Sequence, residues 1–110
     1  MFSLVNGAGD VVNSFTSQRL LLLYYHKTVC NHGFTDAAAA AICREMGHAG
    51  AIGWTSGELH SIQTDLQIGL SDVVCSGDSW ESCTFTTEQD CDHSEDVHLV
   101  CDVRGNFSII

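Results

Sequence analysis

Two groups of residues in this chain are capable of chemistry. The first is six cysteines: Cys30, Cys43, Cys75, Cys83, Cys91 and Cys101. An even number in so short a chain reads as three disulfides. The competing use, a zinc site, wants close C-x-x-C pairs. Here no two cysteines come closer than Cys75 and Cys83, or Cys83 and Cys91. Disulfides imply an oxidising compartment and a secreted or surface module. They also leave no free thiol to act as a nucleophile.

The second group is the run Asp90-Cys91-Asp92-His93-Ser94-Glu95-Asp96. Its carboxylates offer oxygen ligands to a hard cation, or hydrogen-bond acceptors to a loop's own backbone. His32 and His93 are the candidate pair for a transition metal. His26, His48, His60 and His98 read as structural or surface residues that together would give pH dependence near 6. Hydrolase chemistry is not indicated. There is no G-x-S-x-G nucleophile elbow, and His-Ser-Glu-Asp is too compact to form a triad alone.

The 110 residues amount to one domain, and 45% hydrophobic content argues against disorder. Net charge is −10, from 14 acidic residues against 4 lysines and arginines. Lys27, Arg19, Arg44 and Arg104 are scattered, so nucleic acid and other polyanions are poor partners. A protein ligand with a basic surface, or a cation, suits this charge better. The bland alternative is that the acids only keep the protein soluble. The longest apolar run, Leu20 to Tyr25, is far too short to cross a bilayer, so direct membrane insertion is not expected. Met1-Phe2-Ser3-Leu4 lacks the pattern of a signal peptide, while disulfides imply export. The chain is therefore expected to be a mature form or a recombinantly expressed version.

Short elements must carry these groups. Phe2 to Val5 alternates before an Asn6-Gly7 turn signal, and reads as a strand. Gly7 to Ser17 reads as a polar loop with some β character. Leu20 to Tyr25 is continuous and apolar, as in a buried strand, with Thr28-Val29-Cys30 continuing the sheet. Thr35 to Gly47 is the one strong helix. Thr35 is its N-cap, Asp36 suits its positive end and Gly47 is fit for the left-handed C′ position. Ala39, Ile42, Cys43 and Met46 share its inner face. Gly50 to Leu70 reads as an extended loop with a short strand. Asp72 to Cys75 reads as a strand, Ser79 to Cys83 as a helical turn and Val97 to Val103 as the last strand.

Several segments resemble the scavenger receptor cysteine-rich family. Thr28-Val29-Cys30 is similar to its "TVC", and Ala41-Ile42-Cys43-Arg44-Glu45-Met46-Gly47 to its "VVCRQLG". Leu70-Ser71-Asp72-Val73-Val74-Cys75-Ser76-Gly77 resembles "LDDVxCxG". Asp90-Cys91-Asp92-His93-Ser94-Glu95-Asp96 resembles "DCxHxED", and Phe2 to Gly7 is similar to the opening "VRLVGG". The resemblance implies an α+β fold: a curved antiparallel sheet cradling one main helix, with long disulfide-stapled loops. It implies a domain over residues 1–104, leaving 105–110 as a tail. It also implies the pairing Cys30–Cys91, Cys43–Cys101 and Cys75–Cys83, where spacing alone leaves about 15 connectivities open. His48 stands where a larger-cysteine group of the family carries an extra cysteine.

The family implication for function is non-catalytic extracellular recognition of a protein or other ligand, as a receptor, adhesion or defence module. The alternative is a structural building block of an extracellular assembly, joined through its termini. Family members hold a cation, often calcium, between an aspartate pair and the glutamate of "HxED". Only Glu95 carries over directly. Asn31 and His32 replace the aspartates, and His32 is a poor calcium ligand. The candidate cation set is therefore Glu95, Asp92, Asp72 and Asn31, with Asp96 adding charge nearby. Phe34 replaces the usual tryptophan, His26-Lys27-Thr28 the usual "WGT" and Gly69-Leu70-Ser71-Asp72 the usual "WLDD". Asn106-Phe107-Ser108 is an N-glycosylation sequon. The apolar tail Phe107 to Ile110 would add to the sheet near the first strand, or pair with a neighbour.

Overall fold

Four consecutive leucines, Leu20 to Leu23, are all buried, and the fold is arranged to cover both faces of the strand that carries them. The structure is a computed structural model that describes residues 1–12, 19–77 and 79–102. Its strands are β1 (Phe2–Val5), β2 (Leu20–Tyr24), β3 (Lys27–Val29), β4 (Gly50–Ser56), β5 (Ile68–Cys75), β6 (Cys83–Thr86) and β7 (Val97–Asp102), with one helix, α1 (Asp36–Glu45). They form a single curled sheet in the order β4-β7-β2-β3-β5-β6, and β1 pairs with β2. The pairs are antiparallel except β3–β5, which is parallel, so the α+β sheet is mixed. Short 3-10 turns lie at Ser61–Asp65, Trp80–Ser82 and His93–Glu95.

Strand β2 alternates in the usual way, but neither face meets water. Leu20 and Leu22 pack with Phe34, Ala39, Ile42 and Leu99 beneath the helix. Leu21 and Leu23 pack with Val5 against Ile62 and Leu66. Helix α1 follows its sequence signals. The Thr35 hydroxyl accepts from Ala38 N at 3.3 Å. At the other end Gly47, with φ 92°, donates to Arg44 O, and His48 N donates to Cys43 O, a Schellman closure. Asp36 also accepts from the Trp54 indole at 2.9 Å, tying β4 to the helix start.

The stretch from Gly50 to Leu70, expected as an extended loop with a short strand, carries a longer strand than that. It contains the seven-residue strand β4, which pairs with β7 from Gly50↔Asp102 to Ser56↔Val97. Glycines at 50 and 53 weaken its local pattern, and long-range pairing supplies the strand. Residues 13–18 and 103–110 lie outside the described residues. So do the second half of the polar loop after Gly7, the boundary at 104/105, the tail and Asn106.

Three disulfides tie these parts together. Cys30–Cys91 and Cys43–Cys101 span 61 and 58 residues. Cys75–Cys83 spans 8 residues and joins directly paired positions of β5 and β6. In the chain-entropy picture the two long closures stabilise by about 4 kcal/mol each and the short one by about 2–3 kcal/mol.

The outer cover of β2 is thin in apolar residues, and a polar hub holds it in place. Gln63 is fully buried. Its Oε1 accepts from Leu59 N and His60 N, both at 2.9 Å, and from His98 Nε2 at 3.2 Å. Its Nε2 donates to Gly57 O and to Asp96 Oδ2, both at 2.9 Å. Asp96 is fully buried too, and also accepts from His93 Nδ1 at 2.7 Å. Burial raises the Asp96 pKa, against the opposing hydrogen bonds from His93, Thr28 and Gln63. Burial, with added repulsion from the His60 ring, pushes the fully buried His98 down to about 4.

The β2–β3 hairpin closes through the pair Tyr24↔Lys27. Its two central residues, Tyr25 and His26, both have positive φ, at 48° and 67°. Such a turn matches strand twist but favours Asn-Gly, because a Cβ in this region costs about 1–2 kcal/mol per residue.

Two outcomes follow from this packing. In the unfolded chain His98 binds its proton near pH 6.5, whereas in the fold it stays neutral down to about 4. The unfolded state therefore binds more protons across that window, and stability falls as pH drops through it. The loss from this group reaches about 3 kcal/mol, partly offset by Asp96, whose raised pKa works in the opposite direction. Urea unfolding between neutral pH and pH about 4 should show this slope, flattened in His98→Asn. Replacing the strained His26 by glycine should raise stability by about 1 kcal/mol, read as a higher urea midpoint with an unchanged m-value.

Candidate functional site

The loop after β3 and the 3-10 turn before β7 meet at the Cys30–Cys91 disulfide. Cys30 forms an antiparallel bridge with Asp96, and Asn31 N donates to Glu95 O at 2.8 Å. Gly33 allows the loop to pass β5. Its φ is +73°, and a Cβ there would lie 3.4 Å from the Asp72 Cα. The loop ends at Phe34, which is buried against Trp54 with ring centroids 4.8 Å apart.

The acidic turn divides its side chains between inside and outside. His93 and Asp96 point inward to the Gln63 hub. Asp92 and Glu95 face outward and form a reciprocal cap. The Asp92 carboxylate accepts from Ser94 N at 2.9 Å and from the Ser94 hydroxyl. Glu95 Oε1 accepts from Asp92 N at 3.0 Å. The Ser94 hydroxyl, and then its amide, hold the Asp92 carboxyl below the usual carboxylate range. The second Glu95 oxygen is paired with His32 Nε2. His32 Nδ1 lies 3.8 Å from the Cys91 sulfur.

Among the described residues one group of metal-ligating side chains converges: Cys30, His32, Cys91 and Glu95, within 4.8 Å of one another. Both sulfurs are in the disulfide, so neither is a thiolate ligand. That leaves one imidazole bound to one carboxylate. Asp92 and Asp72 are not members of the group. Asp72 sits on a bulge of β5 with φ 54°, exposed, its carboxylate near the Ser71 hydroxyl. Asn31 turns its amide nitrogen to Ser56 Oγ at 2.9 Å. His32 and His93 are not brought to a common point, since each binds a different carboxylate.

This arrangement does not fit a hard cation. Calcium takes about six to eight oxygens. Here both Glu95 oxygens are engaged, and His32 nitrogen occupies the approach to one of them. Sequence reasoning named Glu95 and His32 separately and missed their pairing. The readable signal was a basic side chain where the resemblance puts an acid opposite Glu95. Gln63 had no such signal, being a single polar residue in a mixed stretch.

With the geometry in hand, comparisons with known proteins identify the fold and its relatives. The model of the scavenger receptor cysteine-rich domain matches residues 19–102. The chain is 34% identical over 103 residues to lysyl oxidase homolog 2A of Danio rerio, covering 88% of this chain and 14% of that protein. It is 35% identical over 78 residues to lysyl oxidase homolog 2 of Bos taurus, covering 67% of this chain and 10% of that protein. The chain thus spans only 10–14% of the length of these relatives. The aligned part is their scavenger receptor cysteine-rich region and not their catalytic domain. The dimeric form of the SRCR domain of mouse MARCO superposes with a TM-score of 0.55 at 18% identity, covering 93% of this chain and 89% of that one. A curled mixed sheet around one helix, three disulfides and a family match across most of the chain make this a member of the scavenger receptor cysteine-rich domain family, whose domains are extracellular protein-interaction modules.

Proposed function

We propose that this chain is a non-catalytic recognition module of a secreted or surface protein, and that it binds the basic surface of a protein partner without calcium. Charge is the observation that carries this reading: 14 acidic residues against 4 lysines and arginines, a net of −10. An acidic domain attracts basic partners at long range and repels polyanions. Independence from calcium is supported by His32, whose Nε2 sits against the Glu95 oxygen that a bound cation would otherwise use.

The single-domain match and the short share of each relative favour a module within a larger protein. A second reading, a structural building block of an extracellular assembly, draws support from the dimeric form in which the MARCO domain was solved. Light scattering separates the two. A mass that doubles with concentration favours the building block, whereas the recognition reading expects a constant monomer mass.

Calorimetry tests the role of calcium. The wild-type oxidised protein should give no heat at millimolar calcium. The double variant Asn31→Asp/His32→Asp should gain a site with a dissociation constant of about 0.1–1 mM. Calcium binding by the wild type that is lost in Glu95→Ala would overturn the calcium-free reading. Binding to a fluorescein-labelled hexa-arginine peptide should persist in EDTA and weaken with salt, and hexaglutamate should not bind. Failure to bind hexa-arginine at low salt would overturn the basic-partner reading.

A further inference from the structure

At the opposite end of β3 from His32, the Tyr25–His26 turn stands over a groove between β1 and the end of helix α1. Its volume is about 890 Å³. Phe2 forms the buried floor, and Tyr24 and Trp80 line it half-buried. The rings are continuous. Phe2 lies 4.8 Å from both Tyr24 and Trp80, centroid to centroid, and Tyr25 meets Tyr24 edge-on at 4.6 Å. Phe85 stacks on Trp80 at 5.5 Å with an interplanar angle of 13°. Despite this packing Tyr25 is 63% exposed and Phe85 42% exposed.

The turn that displays Tyr25 uses positive φ at two residues with side chains, where Asn-Gly would be favoured. Local stability does not account for a tyrosine there. Strain of this kind points to a use for the side chain it presents.

We propose that this aromatic groove receives a lysine- or arginine-bearing segment of a partner protein. The proposal rests on the basic-partner reading and names the surface that serves it. Ring faces attract guanidinium and ammonium groups, and arginine most often. No lysine or arginine lines the groove among the described residues. Lys27, the cross-strand neighbour of Tyr24, lays its stem over Gly69. The titratable groups of the lining are Glu45, His26, His48 and the Met1 amine, which interacts with Glu45. The net charge of −10 favours a cationic segment over a neutral ligand, and it disfavours a second copy of this equally acidic chain.

The test uses the fluorescein-labelled hexa-arginine peptide, read by fluorescence polarisation, with the tryptophan indole N–H signals followed by NMR. Tyr25→Asn suits the turn, and Phe85→Thr suits an exposed strand, so the double variant should keep its fold, checked by its urea midpoint. It should bind the peptide about ten-fold more weakly than wild type. The Trp80 indole signal should shift on titration while that of Trp54, on the helix side of β4, stays in place.

Equal affinity in the double variant would overturn the groove. If Asp92→Asn/Glu95→Gln then abolishes binding, the basic-partner reading stands and the contact lies at the disulfide loop. No binding by wild type would overturn both. A Trp80 shift that follows protein concentration without peptide would assign the groove to a second copy. An equal response to neutral laminarihexaose would assign it to carbohydrate. Either result would overturn the proposal.

Discussion

Burial of β2 on both faces is the constraint on which the rest of this domain depends. Leu21 and Leu22 point in opposite directions, and both are fully buried. The helix supplies one cover with ordinary apolar packing. The other cover has few apolar residues, mainly Ile62 and Leu66 with Val5. Gln63 makes up the difference by binding backbone on its own segment and the Asp96 side chain on the turn before β7. An unsatisfied buried amide is costly, so this hub has one good arrangement and positions what it touches. Packing of the outer core therefore determines where the acidic turn sits.

That turn shows how one short motif serves two ends. Its inward pair, His93 and Asp96, belongs to the hub, and its outward pair, Asp92 and Glu95, caps its own backbone. Only one Glu95 oxygen remains for chemistry, and His32 takes it. An imidazole at this position gives Glu95 a side-chain partner where the family resemblance puts a second carboxylate. At the other end of β3 a strained turn holds a tyrosine in solvent beside four other rings, which gives the domain a second face of different chemistry.

Much of the local structure could be read directly. Thr35, Asp36 and Gly47 marked the helix ends because capping is a short-range interaction between a side chain or a glycine and the next turn of backbone. The leucine run marked a fully buried strand because only burial on both faces tolerates continuous apolar residues. Strand β4 was legible only as a short strand within an extended loop, without its length or its partner. Its glycines carry no apolar period, and its hydrogen bonds come from β7, far along the chain. The parallel β3–β5 pair was hidden for the same reason.

By itself the sequence determined the acidic charge, the even cysteine count, the helix and its caps, and, through ordered motifs, the family. These depend on composition or on neighbours along the chain. Only the tertiary structure decided which of the acids are free to act. The pairing of His32 with Glu95, the burial of Asp96 and His98 around Gln63, and the contact of five rings beside a strained turn all join residues from distant segments. Their distances are set by sheet order and core packing, and no local pattern encodes those.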